Sequence, residues 1–256
     1  MHLHGTRARL AVTALFLLGL MMAVLPEASA RPYWTRSFFT YSFPTAQMAM
    51  ATDSTGSPVI GYFYRYTNPN ADGLPKISYT QFTGPAAANN IFYSHSGDSD
   101  NAGGVALAID HDDRPRMVFH EEPSGELTYL YPVPLTSNFS GSGINGINPS
   151  LALDASDVAW VSFYDQDTGN LDYASIGGDH VWHTTTIASS IDPTWSSLAL
   201  DSSGAPHITY YDSNDHELKY VSPTVPQTLV VDDSVGAGVY SVLWFDSNDV
   251  PYILYW

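Results

Sequence analysis

Small and large apolar side chains alternate along short segments that recur at a regular interval down the chain. The clearest two are Ser150-Leu-Ala-Leu-Asp154 and Ser197-Leu-Ala-Leu-Asp201. Alternation with a period of two predicts a β-strand with one small face and one large face. The repeats are anchored at Asp53, Asp110, Asp154, Asp201 and Asp246, with spacings of 57, 44, 47 and 45 residues. A repeat of this length built from short strands is typical of a propeller of four-stranded blades.

Each repeat continues through a turn and three further predicted strands. Turn-forming residues follow the aspartate, as in Asp201-Ser-Ser-Gly204, and we expect the aspartate to cap that turn with its own carboxylate. An aliphatic-x-Tyr pair marks the third strand, as at Leu171 and Tyr173. Fourth strands are predicted to begin near Trp34, Ile91, Leu135, Trp182 and Gln227. The third strand comes later in the first repeat, which predicts an insertion within residues 65–75.

The strand count bears on the number of blades. The pattern contains one third strand fewer than first, second or fourth strands, and Trp256 falls within a second strand. The predicted fold is all-β: a β-propeller of about five four-stranded blades over residues 31–256. Because a bare apolar edge strand is a liability, we expect a truncated propeller of six or seven blades. A closed five-bladed propeller with one thin blade is the alternative.

The first 30 residues predict a secretory signal peptide. Arg7 and Arg9 precede an apolar run from Leu10 to Leu25, and Ala28-Ser-Ala30 is a small-x-small cleavage pattern. An uncleaved membrane anchor is the alternative. We therefore expect a secreted protein, extracellular or periplasmic, with no membrane association after cleavage. The chain has no Cys, so no disulfide supports the fold.

Charge and aromatic content narrow the range of partners. The chain carries 26 acidic and 9 basic residues, a net charge of −17, which repels nucleic acid and anionic lipid. We therefore expect an acidic monomer that binds neither. Its 17 Tyr, 11 Phe and 6 Trp suit contact with carbohydrate, because flat rings with polar tips both stack and hydrogen-bond. Packing inside the blades is the other role for these rings.

The repeat resembles those of secreted bacterial β-propellers related to fucose-lectin-like and sialidase-like propellers. The residues that carry the resemblance run from Ser197-Leu-Ala-Leu-Asp201 through Pro206-His-Ile-Thr-Tyr-Tyr-Asp212 to Leu218-Lys-Tyr220. The resemblance covers residues 34–256 and implies a propeller fold. The sialidase Asp box has the form Ser-x-Asp-x-Gly-x-x-Trp. In this chain the motif that begins at Asp201 is Asp-x-x-Gly, one residue longer between Asp and Gly, and no Trp follows it.

The end of the second strand provides the candidate binding residues. We assign equivalent positions in four repeats to pairs in which an aromatic or histidine side chain is followed by a charged one. These pairs are Tyr64-Arg65, His120-Glu121, Tyr164-Asp165 and Tyr211-Asp212. We expect this end to share a face with the blade-to-blade loops, so that Trp195 and Asp192 line the same groove. A ring can stack on a sugar while a carboxylate accepts its hydroxyl hydrogen bonds. Blade-edge packing and solvated turns are the alternative roles.

Other chemistries have weaker support. Hydrolysis of glycosides needs one pair of carboxylates, whereas these recur in several blades, and no arginine cluster is evident for an anionic substrate. The loops Asp165–Asn170 and Asp212–Asp215 alternate oxygen ligands as Ca²⁺ requires, although solvated turns commonly look the same. We expect no catalytic residue, no metal ligand and no cofactor, with Ca²⁺ as the alternative.

The sequence therefore predicts a secreted, non-catalytic β-propeller that binds an extracellular ligand, with carbohydrate the first choice. Several similar sites would gain avidity on a polymeric target. A propeller glycoside hydrolase or lyase is one alternative. An adhesion or envelope module that binds a protein ligand is the other, and it would show a broad exposed apolar patch.

Overall fold

A computed structural model describes residues 48–65, 75–83, 86–94, 104–121, 124–133, 136–191, 195–222 and 225–256. These residues lie in one compact unit, 42–256. All secondary structure within them is strand, which agrees with the all-β prediction. None of it is a helix long and apolar enough to cross a membrane. The predicted signal peptide, the strand at Trp34 and most of the predicted insertion lie outside the described residues.

The strands form five antiparallel sheets that follow one another along the chain. The first sheet is β1 (Met48–Thr52), β2 (Pro58–Arg65), β3 (Pro75–Thr83) and β4 (Ala86–Ser94), and the second is β5 (Val105–Ile109), β6 (Pro115–Glu121), β7 (Glu126–Val133) and β8 (Thr136–Gly141). The third is β9 (Gly146–Leu153), β10 (Ala159–Asp165), β11 (Asn170–Ile176) and β12 (Trp182–Ala188), and the fourth is β13 (Ser196–Leu200), β14 (Pro206–Asp212), β15 (Glu217–Ser222) and β16 (Val225–Asp232). The fifth has two strands, β17 (Ser241–Phe245) and β18 (Pro251–Tyr255). The first and second strands follow the sequence prediction, while β4 begins five residues before the predicted Ile91.

The first strands of successive sheets contact each other in the order β1, β5, β9, β13, β17. The small faces of β1, β5, β9 and β13 make this close approach possible. The hydroxyl oxygen of Ser150 accepts the backbone N–H of Leu198 in the next sheet at 3.0 Å, and Ser197 accepts that of Leu243 at 2.9 Å. A larger side chain at either serine would hold the neighbouring backbone away.

The hydrophobic core is divided among the junctions between sheets. Val59 packs with Met117 and Phe119 at the first junction. Val118 and Leu127 of the second sheet meet Phe163 of the third. At the next junction Tyr164 and Leu171 meet Ile208. Because each sheet buries its apolar face only against its neighbours, no single sheet is expected to fold alone.

The repeated aspartates cap their own turns, as predicted. One oxygen of Asp201 accepts the backbone N–H groups of Ser203 and Ala205, both at 2.9 Å. Each of the other four aspartates accepts the equivalent pair of N–H groups, two and four residues later. The rim formed by these five turns is called the turn rim.

Acid should weaken the fold in part through Asp201. The hydrogen bond from the Ser203 hydroxyl lowers the pKa of Asp201 most, and the Ala205 N–H and His207 ring add to it, giving about 2. The pKa of an unfolded aspartate is about 3.9. A lowered pKa in the folded state contributes stability above pH ~4, and that contribution is lost as the pH falls toward 2. We expect wild type to lose more unfolding free energy than Asp201→Asn between pH 5 and 2, measured by urea unfolding. Parallel pH profiles would contradict this assignment.

The fifth sheet departs from the pattern on its outward face. Where the other first strands carry Ala or Ser, β17 carries Val242 and Trp244, which are 55% and 44% exposed. Tyr252 and Leu254 lie opposite them in β18 and are also exposed. The Trp244 and Tyr252 rings stack with centroids 5.6 Å apart. These four residues are called the outward face.

Candidate ligand-binding rim

The loops between sheets lie at the opposite rim, beside the turns that join second to third strands. Asn145, in the loop before β9, accepts the backbone N–H of Gln166 at 2.8 Å. Ile191, in the loop after β12, donates its N–H to Gly169 at 3.1 Å. These bonds confirm that the second-strand ends and the sheet-to-sheet loops share one rim, called the loop rim.

Trp195 and Tyr240 form an aromatic pair on the loop rim. Each lies six residues before the turn aspartate of its sheet, immediately before β13 and β17. Their ring centroids are 5.5 Å apart at 46°, and Tyr240 is 52% exposed. Because the first strands of neighbouring sheets contact each other, two rings at this one position are brought together across the junction.

Two more aromatic residues lie at the ends of the second strands of the same two sheets, one just inside β14 and one just after β18. Tyr211 follows the Tyr210–Ser196 pair in register, which places it beside Trp195 in the strand pair. Its hydroxyl hydrogen-bonds to His216 Nδ1 at 3.2 Å. Trp256 donates its backbone N–H to the Tyr240 carbonyl at 3.3 Å, and its side chain is 85% exposed. Together, Trp195, Tyr211, Tyr240 and Trp256 form the aromatic rim.

The structure corrects the expected roles of two rings. Tyr164 is buried in the core between the third and fourth sheets. His120 is buried too, and its Nδ1–H donates to the Gly146 carbonyl at 2.9 Å. Neither ring offers a free face on which a sugar could stack. The neighbouring sheet covers them because both project across a junction.

The structure also corrects the expected roles of two carboxylates. Asp165 is buried and accepts the Asp167 N–H at 3.0 Å and the Thr168 hydroxyl at 2.8 Å. Asp212 is buried as well and accepts an N–H from Asn214 at 3.0 Å. Burial raises the pKa of Asp212, but the hydrogen bonds and the Lys219 charge lower it more, so the carboxylate stays ionised. Both groups are occupied in stabilising their own turns.

The equivalence assumed for the first repeat was wrong by one residue. Met48 pairs with Tyr62 as Val105 pairs with Phe119. Tyr64 therefore matches Glu121, and Arg65 has no counterpart among the predicted pairs. The side chains of Tyr64, Arg65 and Glu121, and the whole of Asp192, lie outside the described part of the chain.

Among the side chains that the structure describes, the predicted ring of several similar sites is reduced to one aromatic rim. At the position of Trp195 and Tyr240, the second and third sheets carry Gly104 and Asn148. Sequence analysis found Trp195 and Tyr211 but missed Tyr240 and Trp256. Both could be found by their position in the repeat. Tyr240 lies six residues before its turn aspartate, as Trp195 does, and Trp256 lies ten residues after it, as Tyr211 does.

Known structures share this architecture. The NanB sialidase of Streptococcus pneumoniae, in complex with 2-[(3-chlorobenzyl)ammonio]ethanesulfonate, matches with a TM-score of 0.55 and 13% identity, over 82% of this chain and 53% of the sialidase. A Hadza microbial sialidase matches with a TM-score of 0.50 and 12% identity, over 82% of this chain and 52% of its own. A fucose lectin from Kordia zhangzhouensis has a TM-score of 0.39 and 13% identity, over 56% of this chain and 99% of the lectin.

The chain spans about half the length of the sialidase chains it matches. At this identity the likeness shows the fold: a β-propeller similar to those of sialidases, as the repeats predicted. No family model and no curated protein sequence matches the chain.

Proposed function

We propose that this protein is a secreted propeller that binds extracellular carbohydrate, without catalysis, at its aromatic rim. The observation that carries the proposal is the Trp195–Tyr240 pair, two rings held together at an exposed rim. Aromatic rings bind the apolar faces of sugars, and their polar tips or nearby groups accept hydroxyl hydrogen bonds. Tyr211, with its hydroxyl on His216, supplies such a polar group beside the pair.

The two sialidases support the general assignment, since both are propeller proteins named for acting on sugars. The positions of the arginine side chains that the structure describes support binding over hydrolysis of an anionic sugar. Arg114 and Arg116 lie on the turn rim, away from the aromatic rim, and both pair with Asp110. Neither is placed to meet a ligand at Trp195.

Replacing either ring of the pair should weaken carbohydrate binding. We expect Trp195→Ala and Tyr240→Ala each to lower affinity about tenfold or more, equivalent to about 1.4 kcal/mol. The measurement is a glycan array on the secreted wild-type protein, followed by calorimetry of the best glycan with each variant. Unchanged affinity in both variants would exclude the aromatic rim as the site.

A matched control lies on the same sheet as Tyr240. Trp244 is exposed and, like Trp195, has its ring beside that of a tyrosine, but it lies near the Asp246 turn at the other rim. Trp244→Ala should keep full affinity. Release of free sugar from the bound glycan by wild type would replace the binding proposal with the hydrolase alternative.

The outward face supports a second candidate, an adhesion or envelope module that binds a protein. Val242, Trp244, Tyr252 and Leu254 form the kind of exposed apolar patch that marks interaction surfaces. In that case Trp244→Ala, rather than Trp195→Ala, would abolish binding to the target.

A further inference from the structure

Lys219 neutralises a group of carboxylates at the loop rim of the fourth sheet. Its Nζ lies 2.8 Å from Asp212 Oδ2 and 3.5 Å from Glu217 Oε2, and it also contacts Asp215. The lysine side chain is only 13% exposed. Burial lowers the pKa of Lys219, but the hydrogen bonds that its ammonium donates to Asp212 and Asp215 raise it more, so the ammonium is held in its charged form. The buried Asp212 therefore has a cation beside it.

The third sheet has an aspartate at the position of that lysine. In the fourth sheet Lys219 pairs with Tyr210, two residues before Asp212. In the third sheet Asp172 pairs with Phe163, two residues before Asp165. The registers are identical, so the side chain at this position is a diagonal neighbour of the turn carboxylate in both sheets. Asp165 thus has a carboxylate where Asp212 has an ammonium.

The two turn carboxylates are used in the same way. Oδ1 of Asp212 accepts the N–H two residues later at 3.0 Å, and Oδ1 of Asp165 does the same at the same distance. Oδ2 of Asp212 faces Lys219, and Oδ2 of Asp165 accepts only the Thr168 hydroxyl among the described residues. A carboxylate oxygen has two lone pairs, so Asp165 Oδ2 retains the capacity to bind a cation.

Asp172 itself is only partly compensated by its neighbours. It is 5% exposed, and among the described residues its Oδ1 has no hydrogen-bond partner. Burial raises the pKa of Asp172, a hydrogen bond from Thr186 lowers it, and the charge of Asp165 raises it, with a net increase. A buried carboxylate oxygen without a partner destabilises the fold, most of all when the group is charged. Two buried acids side by side, one with an orphaned oxygen, point to a missing cation.

We propose that Asp165 and Asp172 bind Ca²⁺ between β10 and β11, at the position where the fourth sheet places the Lys219 ammonium. Ca²⁺ prefers carboxylate, hydroxyl and water oxygens at about 2.3–2.6 Å and tolerates irregular geometry. Asp165 Oδ2 and Asp172 Oδ1 supply the two charges, and the Thr168 hydroxyl, 2.8 Å from Asp165 Oδ2, is a neutral oxygen beside them. The divalent charge matches the two carboxylates.

The affinity should be modest. Among the described residues no group of three or more His, Cys, Asp or Glu side chains is arranged to hold a metal ion, so the site has two carboxylates and is completed by neutral oxygens. Extracellular Ca²⁺ modules with few charged ligands bind with Kd values of about 0.1–1 mM. Such a site is filled at extracellular Ca²⁺ concentrations and would stabilise the junction between the second and third sheets.

Calcium titration of the folded protein tests the site. Wild type, freed of metal with EDTA and returned to neutral buffer, should show a rising melting temperature with CaCl₂ and a single saturable binding event by calorimetry. Asp172→Lys should raise the melting temperature in EDTA and remove the Ca²⁺ response, because the ammonium replaces the ion as in the fourth sheet. Asp172→Asn should also remove the response, without needing a lysine to fit beside Phe163.

An acidic surface binds Ca²⁺ weakly at many points, so a control is required. Asp112→Asn removes an exposed acid from the second sheet and should leave the Ca²⁺ response intact. MgCl₂ should give a smaller shift, because Mg²⁺ demands octahedral geometry. The proposal is overturned if wild type shows no Ca²⁺ response, or if Asp172→Lys and Asp172→Asn respond as wild type does.

Discussion

Asp110→Ala is expected to destabilise the protein by about 3–5 kcal/mol, the usual loss when one member of a buried ion pair is removed. The Asp110 carboxylate has no solvent exposure and binds two guanidinium groups. Its Oδ2 lies 2.9 Å from Nε of both Arg114 and Arg116. Its Oδ1 accepts the backbone N–H of Asp112 and Arg114. The substitution removes the turn cap and leaves the largely buried Arg116 without a counter-charge. A loss of this size is a large part of the 5–15 kcal/mol typical of a domain.

Equilibrium unfolding in urea, followed by tryptophan fluorescence, measures this loss. The matched control is Asp112→Ala, in the same turn, because the Asp112 side chain is 69% exposed and pairs with Arg114 alone. An exposed pair of this kind contributes less than about 1 kcal/mol. Asp110→Asn should fall between the two, since the amide keeps a turn acceptor but carries no charge. Equal losses of unfolding free energy for Asp110→Ala and Asp112→Ala would show that the buried ion pair stabilises the fold no more than the exposed one.

Tyr164→Ala should lower the unfolding free energy by about 3–4 kcal/mol, as loss of a large buried aromatic ring does. Tyr164 is 7% exposed and packs with Leu171 of its own sheet and Ile208 of the next. Removing the ring opens a cavity at the junction of the third and fourth sheets. The sequence-based interpretation placed Tyr164 and Tyr211 in the same role, so the two substitutions make a direct comparison.

Tyr211→Ala is the control for this prediction. Tyr211 occupies the same position in the fourth sheet but is only partly buried, and its hydroxyl hydrogen-bonds to the His216 ring. We expect a loss of about 1 kcal/mol or less, typical of substitutions near the surface. Thermal unfolding of both variants separates the two outcomes. Similar small losses would place Tyr164 outside the core.

Contacts between neighbouring turns show how local signals combine. On the turn rim, Ser54 donates its N–H and hydroxyl to Asp113 of the second sheet, each at 2.7 Å. Ser202 binds Asp249 in the same way. Between the third and fourth sheets the corresponding residues are Ala155 and Gly204, so the hydroxyl donor and the carboxylate acceptor are lost together. The sequence contains these residues, but only the packing of sheets shows that they are partners.

The repeat determined most of the fold. Period-two alternation around Asp154 and Asp201 predicted strands, and the turn residues after them predicted hairpins, because both properties depend on a few neighbouring residues. The tightness of the junctions was also visible in the small residues before each aspartate, such as Ser150 and Ser197. Similar local rules predicted the carboxylate caps, since an aspartate reaches the N–H groups two and four residues later without help from the rest of the chain.

Only the tertiary structure decided which of the equivalent side chains remain exposed. Tyr164, Tyr211 and Trp256 share one position in the repeat, yet the first is buried, the second is partly covered and the third is exposed. Burial depends on what the next sheet places against a residue, and for Tyr164 and Tyr211 that sheet begins 32 and 30 residues later in the sequence. For the same reason, the placement of Asp172 diagonally beside Asp165, where the fourth sheet places Lys219 beside Asp212, becomes visible only when two strands are set in register.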